Sequence, residues 1–331
     1  MPNRRPGRTS SALPTAGPQE GRRPDGAPIA DLSSSSRAAL PARFAVRTDD
    51  PPEHLFRRLL SAYLAGARTF EVVERPRISA ATRQVVREFC RRTRHPEIVR
   101  SDGATLELTD LEPGGPEPIG ERLQRLGETV LAFHRDAVES WDHLPFEGDG
   151  AWAQRDDEID REAWYLERCL ALNRRDGTGG GASAIGAWTV ARSLERIADH
   201  AVTLGEIGPR LAERGANVGS LRELRQFHRQ AMAHLEEVLR SPEGSRANDL
   251  LDVGEALLTG GHALSERLLP SVEDRSVSPA TAAAIARALE AIRRTVAYTQ
   301  DIAQAFLDHA PDSETPQARW TGAAPASTPK G

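Results

Sequence analysis

Apolar positions return at helical spacing through most of the chain after residue 116, and this pattern sets the first expectation for the fold. In 279–309, Ile285, Leu289, Ile292, Val296, Ala303 and Phe306 recur every three to seven residues and lay one apolar stripe along a helix. The same reading predicts six long helices, over 117–142, 149–173, 182–214, 219–240, 245–269 and 279–309. Gly177 to Gly181 separates the second from the third. Ser241-Pro242 and Ser278-Pro279 punctuate the later set, and Ser278 before Pro279 reads as an N-cap followed by a proline at the first helical position. Two sets of three helices of similar length predict an internal repeat of about 95 residues. The expected result is a pair of stacked three-helix bundles, 116–216 and 217–310.

The block 43–112 has a different rhythm. Asp50 is expected to cap a helix with Pro51 at its first position and Glu53 closing the capping box. That helix runs through Leu55, Leu59, Leu60 and Tyr63 and stops near Gly66. Thr69 to Val73 reads as a strand, Ser79 as the cap of a second helix, and Glu97–Arg100 and Thr105–Leu108 as two strands about the turn at Asp102-Gly103. The expectation is a small α/β unit of order αβαββ. Segments 1–42 and 311–331 are dominated by Pro, Gly, Ser, Ala and Arg, which bury too little apolar surface to offset the entropy of ordering, so both are expected to be disordered tails. The fold class is therefore mainly α: tandem three-helix bundles preceded by a small α/β unit and a disordered N-terminal tail.

Composition narrows the function classes. The 331 residues are 39% apolar and 27% charged, enough to bury a core and remain hydrated. A net charge of −5 gives no reason to expect a broad hold on nucleic acid or anionic lipid. Cys90 and Cys169 are the only cysteines and form no CxxC, which predicts reduced thiols and a cytoplasmic setting. No run of eighteen apolar residues exists, so membrane insertion is not expected, and no apolar segment follows Arg4, Arg5 and Arg8 as a secretory signal requires.

Two acidic patterns carry the candidate chemistry. Asp156 and Asp160 sit four residues apart in the second long helix, within Asp156-Asp157-Glu158-Ile159-Asp160; Glu195 and Asp199 do the same in the third. Residues at that spacing are neighbours on one helix face. Both pairs flank the apolar stripe: Asp156 and Asp160 lie within about 100° of Ile159, Ala163, Leu166 and Leu170. Successive helices joined by a loop are antiparallel, which allows the pairs to face one another. Four carboxylates would make a hard, oxygen-rich site suited to Mg²⁺, Mn²⁺ or ferric iron. The bland alternative is that Arg155, Arg161 and Arg196 neutralise the acids. His134 and His200 are weaker ligand candidates, and Trp152, Trp164 and Trp188 read as core or groove aromatics. Gly177 to Gly181 lacks the Lys-Ser/Thr of a phosphate-binding loop, and no nucleophile sits with a base.

The segment Ser193 to Ala201, which reads SLERIADHA, resembles the third-helix signature of PhoU bundles, and Asp156–Asp160 resembles the second-helix signature. Phe133 to Ala137 is similar to the first-helix pattern. Residues 50–112, with Arg57 to Gly66, are similar to the middle region of archaeal PhoU-like regulators. The resemblance implies tandem bundles, and a metal cluster held by Asp156, Asp160, Glu195 and Asp199. It further implies a non-enzymatic regulator of phosphate uptake and starvation signalling that contacts a phosphate ABC transporter or a signalling protein and pairs with a second copy. In the second repeat Arg294 stands where the second acid belongs, and Asp249, Asp252 and Glu255 form no i,i+4 pair, so one metal site is expected, not two. Archaeal relatives often carry a swapped-hairpin DNA-binding head; residues 1–40 show no such strand pattern, so direct DNA binding is not expected. Two alternatives remain at this level: a transcriptional regulator of phosphate genes, and a carboxylate-bridged di-iron enzyme. The latter needs Glu-x-x-His, which the sequence lacks.

Overall fold

The computed structural model describes residues 42–47, 49–111, 118–142, 151–175, 181–213, 218–242, 244–268 and 278–309. The expected tails, 1–42 and 311–331, lie outside these residues except for Ala42.

The chain enters the fold through a strand that the sequence pattern did not reveal, β1 (Ala42–Val46). It is followed by α1 (Pro52–Leu64), β2 (Thr69–Glu74), α2 (Ala80–Arg92), β3 (Pro96–Ser101) and β4 (Thr105–Asp110). The order is thus βαβαββ, and the expected αβαββ is corrected by one strand. Five residues with only Phe44 fully buried give too weak an alternation to mark a strand. The sheet runs β1-β2-β4-β3, with β1 parallel to β2 and the remaining pairs antiparallel. One face carries Phe44, Phe70, Val72, Leu106 and Leu108, packed with Leu55, Leu59, Tyr63, Val86 and Phe89 from the two helices. The opposite face carries cross-strand ion pairs at matched register, Arg43–Glu71 and Arg100–Glu107, as a solvated sheet face should.

Ser79 caps α2 as expected, its side chain accepting from the Thr82 amide. Asp50 does not cap α1. Pro51 holds the cap position with proline next in the helix, and the Asp50 carboxylate instead accepts from the Arg47 amide at 3.1 Å. With two prolines at the start, fewer amides are left for a side chain to satisfy.

Six long helices complete the fold: α3 (Ile119–Glu139), α4 (Ala151–Arg175), α5 (Gly181–Glu213), α6 (Val218–Arg240), α7 (Ala247–Leu268) and α8 (Pro279–Asp308). Ser278 caps α8 through the Thr281 amide, and every residue of the expected α8 stripe is buried. Helices α3, α4 and α5 pack on one another, as do α6, α7 and α8; α5 lies along α8, and α3 meets α6. A single apolar cluster runs through both sets.

Helix α4 has two working sides. Ile159, Ala163, Leu166 and Leu170 belong to the helical core, whereas Trp164 is buried with the α/β unit. Every residue from Ala163 to Leu170 is buried in consequence. Arg168, 1% exposed at its side chain, ties the two parts together. It donates to the Tyr63 carbonyl and pairs with Asp110, each at 2.5 Å.

Candidate metal centre

Asp156 and Asp160 project from the first half of α4, and Glu195 and Asp199 from the middle of α5. Both helices turn their small or branched residues, Ile159 and Ala163 from one and Leu194 and Ala198 from the other, into the common core. The carboxylates are carried at the edge of that seam. They fall within electrostatic reach of one another: Asp156 feels Asp160, Asp199 and Glu195. Burial, reinforced by this mutual repulsion, raises the Asp156 carboxyl from its ordinary value to about 7. Burial raises Glu195 to about 7, with Asp199 adding to it and Arg196 and Arg192 opposing. Asp160 is raised to about 6, burial again leading, against the pull of Arg92. Asp199 also moves upward through burial, tempered by Arg196 and Arg192.

Arginines answer part of this charge. Arg196 lies 3.4 Å from Glu195 Oε2 and 3.5 Å from Asp199 Oδ2. Arg92, from α2, lies 2.8 Å from Asp160 Oδ2 and 3.0 Å from Asp157 Oδ1. Arg155, expected to serve the row, instead pairs with Asp136 on α3 at 2.7 Å. Asp156 Oδ1 is buried with no hydrogen bond among the described residues, and Glu195 Oε2 makes none either, its charge met only by the ion pair with Arg196. Buried acceptors with no donor are the kind of group a cation satisfies, so the donor chemistry fits a hard metal ion. The side chains as they stand do not enclose one. Among the described residues no three His, Cys, Asp or Glu side chains are grouped so as to hold a metal ion.

The secondary candidates have other occupations. His134 is wholly buried; its Nε2 lies 2.7 Å from the Ile197 carbonyl oxygen and its Nδ1 3.3 Å from His228 Nε2. The two rings stack at 5.5 Å. Burial lowers His134 to about 4 and His228 to about 3, so the pair is neutral near pH 7. His200 stacks on Tyr298 at 5.9 Å. Trp152 and Trp164 are buried, whereas Trp188 is 48% exposed and donates to Glu167.

The His134–His228 contact had a signal in the sequence. Phe133-His134-Arg135 recurs 94 residues later as Phe227-His228-Arg229, and both Phe and both His are buried. Leu194-Glu195-Arg196-Ile197 recurs likewise as Leu289-Glu290-Ala291-Ile292. At the second copy, Glu290 is paired with Arg293 and Arg294, both at 3.0 Å. Arg92 is the neighbour of the acids that sequence spacing missed, because it lies 68 residues from Asp160.

No curated protein and no solved structure matches the chain. Residues 123–208 match the family model of the PhoU domain, a stretch that takes in nearly all of α3, all of α4 and most of α5, and so both acidic pairs. What the chain shares with PhoU proteins is similarity to the PhoU domain over residues 123–208.

Proposed function

We propose that this protein is a non-enzymatic adaptor that regulates phosphate uptake and phosphate-starvation signalling, and that Asp156, Asp160, Glu195 and Asp199 hold a hard divalent or ferric cation. The family is one of phosphate-homeostasis regulators, which supports the first part. The observation that supports the second is Asp156 Oδ1, a buried oxygen with no hydrogen bond among the described residues, within electrostatic reach of Asp160, Glu195 and Asp199. A bound cation would supply the positive charge that four converging carboxylates lack. The protein's own residues do the rest. Ile159, Ala163, Leu194 and Ala198 fix the separation of the two helices, and Arg196 screens the α5 pair. A phosphate ABC transporter or a signalling protein is the partner that the family suggests, and a second copy of the chain is a further one. No helix among the described residues is long and apolar enough to cross a membrane.

Two measurements test the reading. Deleting the gene should raise phosphate accumulation or deregulate starvation genes; unchanged uptake and unchanged expression would remove the regulatory role. Elemental analysis of the purified protein beside an Asp156→Ala, Asp199→Ala double variant addresses the cation. A clear loss of bound metal in the variant is expected, and equal content in both proteins would remove the site.

A further inference from the structure

The net charge of −5 hides an uneven split. Residues 42–111 carry thirteen arginines against ten aspartates and glutamates, a local excess of three positive charges. Several of these arginines are taken by carboxylates: Arg43 by Glu71, Arg100 by Glu107, and Arg91 and Arg92 by acids of α2 and α4. Four others, Arg75, Arg77, Arg83 and Arg87, make no ion pair among the described residues and gather at one corner of the α/β unit. Arg75 and Arg77 sit on the loop between β2 and α2. That loop is held against the β3–β4 turn, because the Glu74 and Ile78 amides donate to the Ala104 and Gly103 carbonyls at 3.1 and 2.9 Å. Arg83 reaches the same turn from α2, its Nη1 donating to Ser101 Oγ at 3.1 Å. Arg87 follows one helical turn later on the same face, about 6 Å farther along the axis. Arg75, Arg77 and Arg87 are exposed, and Arg83 is half-buried. Three acids border the corner. Asp102 is occupied by the Ala104 and Thr105 amides at 2.9 and 2.8 Å, Glu107 is paired with Arg100, and Glu97 lies toward Cys90. The corner is therefore positive on balance.

We propose that this corner is a docking surface for a linear inorganic phosphate polymer. A repeating anion meets several guanidiniums in series, and each phosphate contact releases condensed counter-ions, so four arginines hold a chain far better than a single phosphate. Nucleic acid fits the corner less well. Single strands are gripped by stacking their bases on aromatic rings. The aromatic rings of the adjoining elements, Phe70 and Phe89, are 1% and 0% exposed, beneath the sheet and the helix. Duplex DNA takes a projecting helix or ribbon into its major groove. The flank of α2 that carries Arg83 instead leans on the β3–β4 turn. The surface thus reads charge without bases. The choice of a phosphate chain among base-free polyanions rests on the regulatory reading given above. The surface itself makes no use of the acidic pairs on α4 and α5, and it stands apart from the cation reading.

The test is fluorescence anisotropy of end-labelled polyphosphate titrated with the full chain, beside single-stranded RNA and duplex DNA of matched charge. Three proteins are compared: the wild type, an Arg83→Gln, Arg87→Gln double variant, and an Arg57→Gln, Arg68→Gln double variant. The last removes the same charge from exposed positions of the same unit, outside the corner. For the wild type, the logarithm of polyphosphate affinity should fall with the logarithm of salt concentration at a slope of about −3, as four contacts require. Arg83→Gln, Arg87→Gln should bind roughly tenfold more weakly, with a slope shallower by about 1.4. Arg57→Gln, Arg68→Gln should stay within about twofold of the wild type. An Arg75→Gln, Arg77→Gln variant, which leaves α2 untouched, should weaken binding in the same way and serves if the helix variant does not fold. Equal losses in the corner and control variants would assign binding to net charge and overturn the site. RNA or DNA binding as tightly as polyphosphate would overturn the base-free partner, and no binding of any polyanion at low salt would overturn the surface. None of these failures touches the regulatory reading, which the gene deletion tests on its own.

Discussion

At the residue scale, two kinds of buried ionisable group pull stability in opposite directions with pH. Asp156, Asp160 and Glu195 titrate higher in the folded chain than the ordinary 3.8 and 4.5. The folded state therefore holds their protons more firmly, so their contribution is favourable below about pH 4 and is lost as pH rises through 6 to 7. His134 and His228 titrate lower than the ordinary 6.5. Here the unfolded chain binds protons first, so stability is full above pH 6.5 and is lost as pH falls toward 4 and 3. Single substitutions separate the two. Asp156→Asn should raise the melting temperature of chelator-treated protein at pH 8 by about 2–4 °C and leave it nearly unchanged at pH 4, since the wild-type carboxyl is already protonated there. An equal gain at both pH values would show that repulsion is not the cause. His134→Ala removes a wholly buried ring and strands the Ile197 carbonyl and His228. Urea unfolding near pH 7 should show a loss of about 3 kcal/mol.

At the element scale, close approach of α5 to the end of α3 depends on a missing side chain. A Cβ at Gly208 would fall 1.6 Å from Cδ1 of Trp141, whose indole donates to the Leu204 carbonyl at 2.9 Å in the same contact. The ring is 3% exposed and has nowhere to retreat. Gly208→Ala should destabilise the protein by about 2–3 kcal/mol in denaturant unfolding, although alanine is the better helix former. A neutral or stabilised variant would mean that the α3–α5 seam yields more easily than its packing suggests.

At the scale of the whole molecule, α4 is the element on which both parts depend. It lends Leu166 to one core and Trp164 to the other, and Arg168 spans the join to Asp110. Removing one partner of so deeply buried a pair leaves the other charge stranded. Arg168→Met should cost about 3–5 kcal/mol, and hydrogen exchange should place the loss first in β4 and the end of α1. Trp164→Ala should loosen the same unit by a comparable amount, about 3–5 kcal/mol. Protection lost uniformly across α6, α7 and α8 in either variant would contradict this division.

The sequence by itself determined the helical architecture. Apolar period, the Ser278 and Ser79 caps and the glycine and proline breaks are local signals, and they located six long helices to within about three residues of where they lie. It also singled out the two acidic pairs, because spacing within one helix fixes which residues share a face. A short edge strand escaped, since β1 owes its existence to pairing with β2 and not to its own five residues. Only the tertiary structure decided what surrounds the acids. That Arg155 turns to Asp136 and that Arg92 arrives from another part of the chain are pairings across 19 and 68 residues. No local period encodes them; they follow from burying α4 on two sides at once, which brings a distant arginine and a row of carboxylates into one partly dry place.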